Sequence, residues 1–181
     1  VSGFEQPVAR IVRKRMGKWA DKVETDVHGN VIVMAGDKKG PRVMLAGHMD
    51  QIGLMVNYVN DEGYIYFEAV GGIDNTVLPG SNLTIHTKDG PIPGIIGRKP
   101  IHLMKPEERN QGKVERIDLW IDIGTKNKKE TLEVVQIGDP VTYKLGLTKV
   151  GKDYIASPGL DNKVGTWVVM EALRIAVESK K

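Results

Sequence analysis

Apolar and polar positions fall into two regimes along the chain. Between Glu5 and Met16, Val8, Ile11, Val12 and Met16 recur at helical spacing while Arg10, Arg13, Lys14 and Arg15 take the other side. This predicts an amphipathic surface helix. Ser2, three residues before Glu5, offers a capping-box start, and Gly17 offers a stop. Two strands are predicted over 23–27 and 30–35, joined at His28-Gly29-Asn30, which makes His28 a loop residue. A turn over 37–41 leads into the solid apolar run Val43-Met44-Leu45-Ala46, which reads as a strand buried on both faces of an α/β sheet. After Asp50 the character changes. Short strands are predicted over 52–59, 64–70, 83–87, 91–96, 117–123, 141–144 and 152–155, with a short helix over 128–135. Many short strands separated by tight, glycine-rich turns describe a small β-barrel or sandwich. From Val164 the period is helical again, with Val168, Val169, Ala172, Leu173 and Ala176 on one stripe. The pattern predicts an α/β frame over 1–58, an inserted β module over 59–148, and the frame resuming over 149–181.

Composition narrows the chemistry. The chain has 181 residues, 40% hydrophobic and 27% charged, as in an ordinary soluble globular protein. Its net charge of +3 is scattered, with Lys126, Lys128 and Lys129 beside Glu130 and Glu133. No basic stripe interleaved with aromatics is present, which argues against nucleic acid. The absence of cysteine excludes disulfides and thiolate metal sites, leaving His, Asp and Glu as the strong ligands. No apolar stretch reaches the ~20 residues needed to cross a bilayer and no signal peptide is seen, so no membrane partner and a cytoplasmic home are expected. The chain starts at Val1 without a methionine and stops at Lys181 after a helix-like segment, which fits a fragment of something longer.

The apolar run ends in Gly47-His48-Met49-Asp50. Ligands of open α/β sheets bind beyond the carboxyl ends of the strands, where His48 and Asp50 fall. In an extended chain the two point to the same side. One ring nitrogen of His48 can then bind a metal while Asp50 fixes the other. The plainer alternative is a strand end with two solvated polar residues. Downstream, Asp161 sits where a loop enters the last helix. It is either the N-cap of that helix or a carboxylate aimed at the same cleft, suited to bridge two divalent cations.

Gly47-His48-Met49-Asp50-Gln51-Ile52-Gly53 and Leu160-Asp161-Asn162-Lys163-Val164-Gly165 together resemble the M42 family of metalloaminopeptidases. Val1 to Glu5, Gly94 to Leu103 and Asp118 to Gly124 resemble further segments of that family, in order along the chain. The resemblance implies an α/β zinc-peptidase-like catalytic domain, here partial, interrupted by a PDZ-like β-barrel dimerisation domain. It also implies peptide substrates, dimers assembling into dodecamers, and two divalent metal ions, Zn, Co or Mn. By motif, His48 corresponds to a ligand of one metal, Asp161 to the bridging carboxylate, and Asp50 to the acid that orients the histidine. Asn162 falls where the family usually has a second Asp, joined to the bridging Asp by a cis peptide, and Gln51 replaces the more usual Glu. The family's general base and remaining ligands are not found before Lys181, so the fragment alone is expected to be inactive. Glu171 and Glu178 lie in the wrong context to serve as base, and His86 and His102 read as structural. Two rivals remain: a non-catalytic assembly module, and a glycoside hydrolase using Asp118 and Asp122, which a shared strand face would hold roughly 13 Å apart, too far for that chemistry.

Overall fold

A computed structural model describes residues 1–37, 39–109, 113–144 and 146–179. Lys38, in the turn expected over 37–41, and residues 110–112 and 145, in the expected β module, lie outside them. The elements in chain order are α1 (Gln6–Met16), β1 (Lys22–Thr25), β2 (Val31–Met34), β3 (Gly53–Val59), β4 (Ile65–Val70), β5 (Asn82–Thr87), β6 (Gly90–Arg98), α2 (Pro106–Arg109), β7 (Leu119–Asp122), α3 (Lys128–Val134), β8 (Pro140–Tyr143), β9 (Thr148–Val150), β10 (Tyr154–Ala156) and α4 (Leu160–Glu178). They divide into two compact units, one of Val1 with Ile52–Pro158, the other of Ser2–Gln51 with Gly159–Lys181.

The first unit is a closed barrel in the order β3-β4-β7-β6-β5-β8, sealed by β8 against β3. Every neighbouring pair is antiparallel, and closure removes the exposed strand edges that an open sheet would carry. The period-two pattern explains why these strands close on one core. Ile65 and Phe67 of β4, Leu83 and Ile85 of β5, and Leu119 and Ile121 of β7 are buried together, with polar neighbours between them turned outward. Helix α3 starts at Asn127, whose side chain accepts the Glu130 N–H at 3.0 Å. It is pinned to the barrel by Thr131, which is fully buried and donates to the Gly63 carbonyl at 2.8 Å.

Two departures from the sequence reading have local causes. The strand expected over 117–123 begins only at Leu119, because Arg116–Asp118 forms a 3-10 turn with Ile117 exposed and Arg116 paired to Glu68 at 2.7 Å. The compact units also divide at 52 and 158, where the sequence placed the boundaries at 59 and 148. All of β3 is committed to the barrel through β4 and β8. Beyond β8, the unpredicted β9 pairs with β10 as a hairpin in the same unit.

In the second unit, α1 buries Ala9, Val12 and Met16, and its last turn carries Arg13, Lys14 and Arg15, which suits the negative end of the helix dipole. Strands β1 and β2 form a hairpin whose turn is held by the Asp26 carboxylate, which accepts the N–H groups of His28 and Asn30 at 2.9 Å each. Helix α4 is braced to α1 by Arg15, which pairs with Glu171 and lies 4.0 Å from the centroid of the Trp167 ring. Arg174 joins Glu171 at 2.8 Å and also pairs with Glu178. The apolar run Val43 to Ala46 stands unpaired among the described residues. Val43 and Met44 are 84% and 89% exposed, and no strand is formed there. A doubly buried strand needs paired neighbours, and among the described residues β1 and β2 pair only with each other.

The brace carries a pH signature. Arg15 first, and Arg174 after it, hold the Glu171 carboxyl below its ordinary value. A carboxylate lowered in this way stabilises the fold above its unfolded pKa of about 4.3, and that contribution is lost as pH falls through the folded value. Glu171→Gln is therefore expected to lower the melting temperature at neutral pH, with the gap to the parent protein closing below about pH 4. Parallel melting curves across that range would remove the brace from the account.

Candidate metal centre

Three backbone and side-chain devices bring the His48 segment and the start of α4 together. A Cβ at Gly47 would lie 2.9 Å from the Thr166 nitrogen, so only glycine lets the chain run against the first turn of α4. Thr166 donates its hydroxyl to the His48 carbonyl at 2.8 Å. Lys163 donates to the side-chain oxygen of the buried Gln51.

The helix start also separates the two readings of Asp161. Gly159 precedes it in the left-handed region, and Asp161 and Asn162 keep non-helical dihedrals across a cis peptide. The capping oxygen is that of Asn162, which accepts the Gly165 N–H at 2.8 Å. Asp161 is thereby free of capping duty, with its side chain 96% exposed. Asn162→Ala is expected to cost about 1 kcal/mol in chemical denaturation, as for the loss of other N-caps. A cost near zero would mean that the cap is not needed.

Around His48 the contacts form a chain. Asp50 Oδ1 lies 2.9 Å from His48 Nδ1, and Ser2 donates its hydroxyl to Asp50 Oδ2. The Ser2 bond is the main cause holding the Asp50 carboxyl below its usual range, against the opposing effect of burial, and the His48 bond adds to it. An anionic Asp50 accepts a proton donor, which assigns the hydrogen of a neutral imidazole to Nδ1 and leaves a lone pair on Nε2. That Nε2 lies 3.3 Å from Asp161 Oδ1. Two acceptors so close repel unless a proton or a cation lies between them. The donor set fits a metal: bonds of about 2.0–2.2 Å at a tetrahedral angle place an imidazole nitrogen and a carboxylate oxygen about 3.3–3.5 Å apart. Burial lowers the pKa of the Lys163 ammonium, while the Asp50 charge raises it.

The structure thus brings His48, Asp50 and Asp161 together. Among the described residues no group of three or more metal-ligating side chains is found. His28 stays in the β1–β2 turn, and His102 is exposed in a 3-10 turn. His86 is half-buried with Nε2 2.9 Å from the Thr142 hydroxyl, and burial pushes its pKa down. Asp118 and Asp122 are exposed on the barrel unit, Asp122 accepting the Gly124 N–H at 2.7 Å. Ser2, Thr166 and the Gln51–Lys163 pair were not read as site residues. Ser2 in particular reads locally as a helix cap, yet α1 has no side-chain cap, and the Glu5 carboxylate accepts from Gly3 instead.

The M42 glutamyl aminopeptidase family model matches residues 29–181, and the chain belongs to that family. The lysyl aminopeptidase of Pyrococcus furiosus is 31% identical over 176 residues, covering 96% of this chain and 51% of that protein. Among solved structures, the TET aminopeptidase of the marine sediment archaeon Thaumarchaeota archaeon SCGC AB-539-E09 superimposes with a TM-score of 0.92 at 34% identity, over 99% of this chain and 51% of that one. The Pyrococcus horikoshii TET1 peptidase, described as assembling into a tetrahedron or a large octahedral shell, gives 0.83 at 32% identity, over 98% and 52%. The chain spans about half the length of the relatives it matches. No helix among the described residues is long and apolar enough to cross a membrane.

Proposed function

We propose that the whole protein is a metal-dependent aminopeptidase that removes amino-terminal residues from peptides in the cytoplasm. His48 and Asp161 hold divalent metal in this reading, and Asp50 fixes the His48 ring. The observation that carries it is the 3.3 Å approach of His48 Nε2 to the exposed Asp161 carboxylate, with the other ring nitrogen already committed to Asp50. Zn, Co or Mn bound there, two ions in the complete centre, would lower the pKa of a water and polarise the scissile carbonyl. The chain's own part is to present Nε2 unprotonated and to keep Asp161 clear of the helix cap. Two ligands do not complete a two-metal centre, and the reading assigns the remaining ligands and the general base to sequence outside these 181 residues. The surrounding unit serves as the catalytic, zinc-peptidase-like part. The six-stranded barrel serves as a PDZ-like dimerisation domain, with dimers assembling into a dodecamer; the shell-forming relative supports this.

The test supplies Zn²⁺, Co²⁺ or Mn²⁺ to the metal-stripped whole protein with aminoacyl p-nitroanilides of differing side chain. Chelator-sensitive release from free but not N-acetylated substrates is expected. Metal-independent turnover, or turnover of cello-oligosaccharides in its place, would overturn the reading.

A further inference from the structure

The geometry points to Ser2 as a positioning residue of the metal centre: its hydroxyl holds the second oxygen of Asp50 and so sets the direction in which His48 presents Nε2. The inference rests on the reading of His48 and Asp161 as ligands. Asp50 has two carboxylate oxygens with separate tasks, Oδ1 on His48 Nδ1 and Oδ2 on the Ser2 hydroxyl. The terminal torsion of an aspartate is broad and roughly two-fold, so a carboxylate held through one oxygen can rock, and the ring it holds rocks with it. A donor on the other oxygen fixes the plane. Outer partners of metal-binding histidines act in this way on ring orientation and tautomer.

The placement of Ser2 is itself determined. Gly3, the next residue, takes φ +86° and donates its N–H to Glu5 Oε1 at 2.8 Å, a turn that runs straight into α1. Helix α1 is in turn tied to α4, the helix that begins at the Asp161 turn, through Arg15 and Glu171. The chain therefore runs from the Ser2 hydroxyl through the Gly3 turn into α1, and α1 is ion-paired to the helix that begins at Asp161. A residue serving only to start α1 would bond to the helix. Ser2 bonds to an acid 48 positions away.

The experiment measures Zn²⁺ affinity by competition with a chromophoric chelator, and the His48 tautomer by ¹H–¹⁵N NMR of the metal-free protein. It compares the parent with Ser2→Ala, Ser2→Thr and His48→Ala. Ser2→Ala is expected to weaken Zn²⁺ binding about tenfold, within the 10–100-fold range of outer-shell losses, and to mix the Nδ1–H tautomer with its alternative. Ser2→Thr, which keeps the hydroxyl, is expected to restore affinity to within about threefold. Parent-like affinity and tautomer in Ser2→Ala, beside a clear loss in His48→Ala, would overturn the inference about Ser2 alone. Parent-like affinity in His48→Ala would overturn the metal centre itself, and this inference with it. If Ser2→Ala does not fold, Ser2→Gly, which also lacks the hydroxyl and adds no ligand, decides: a loss supports the role, and unchanged binding removes it.

Discussion

His48→Ala is expected to weaken Zn²⁺ binding by more than about a hundredfold, beyond the range for outer-shell partners, while leaving the melting temperature close to that of the parent protein. The two halves of this expectation have separate causes. In the proposed centre His48 is the side chain held by Asp50 through one ring nitrogen with the other facing Asp161, so its loss would remove a ligand and strand the Asp50–Ser2 pair. Its side chain is 55% exposed, however, and that of Asp161 is 96% exposed. Surface substitutions of this kind stay within about 0.5 kcal/mol in stability. Asp161→Ala should behave alike in both respects. Competition titration and thermal melting of the same samples check the pair of outcomes. A large drop in melting temperature with unchanged Zn²⁺ affinity would mean that these residues serve the fold.

Ile121→Ala is expected to give the opposite pattern, a loss of about 3–4 kcal/mol in stability. Ile121 is fully buried and pairs in register with Ile65 on one side and Ile96 on the other, so its side chain spans the centre of the barrel wall. The two partners belong to strands that cannot close independently, because each is fixed by its own ladder. A cavity here has little room to collapse, which places the cost in the upper part of the range for large-to-small core changes. Urea unfolding followed by tryptophan fluorescence measures it, with Ile117→Ala as the control. Ile117 is 75% exposed in the preceding turn and should cost less than about 0.5 kcal/mol. Equal effects at the two positions would deny the inward and outward assignment of this segment.

Much of the barrel was legible because strands such as Ile65 to Val70 and Asn82 to Thr87 bury alternate positions, Ile65 with Phe67 and Leu83 with Ile85, so their inward set is written in the sequence itself. The hairpin of β9 and β10 was only half legible, since three residues are too few to establish a period. Val43 to Ala46 is a different case, in a chain that spans about half the length of the relatives it matches. An apolar run states a need for burial without naming what buries it, and the structure leaves the run exposed. In the candidate site, His48 and Asp50 could be paired by their spacing alone, and the contact between them follows that spacing. Asp161 required a choice between cap and ligand. Only the tertiary arrangement shows Asn162 taking the capping bond next door. Ser2 and Thr166 could not be found from local pattern, because each reaches its partner across more than forty intervening residues.

The central claim is that His48 and Asp161 share one divalent cation. Anomalous diffraction at the zinc edge, from crystals of the protein grown with Zn²⁺, addresses it directly. The account predicts a strong peak about 2.0–2.2 Å from both His48 Nε2 and an Asp161 carboxylate oxygen, with Nδ1 still on Asp50. Zinc peaks none of which lies within bonding distance of both atoms, or an ordered site without zinc, would contradict it.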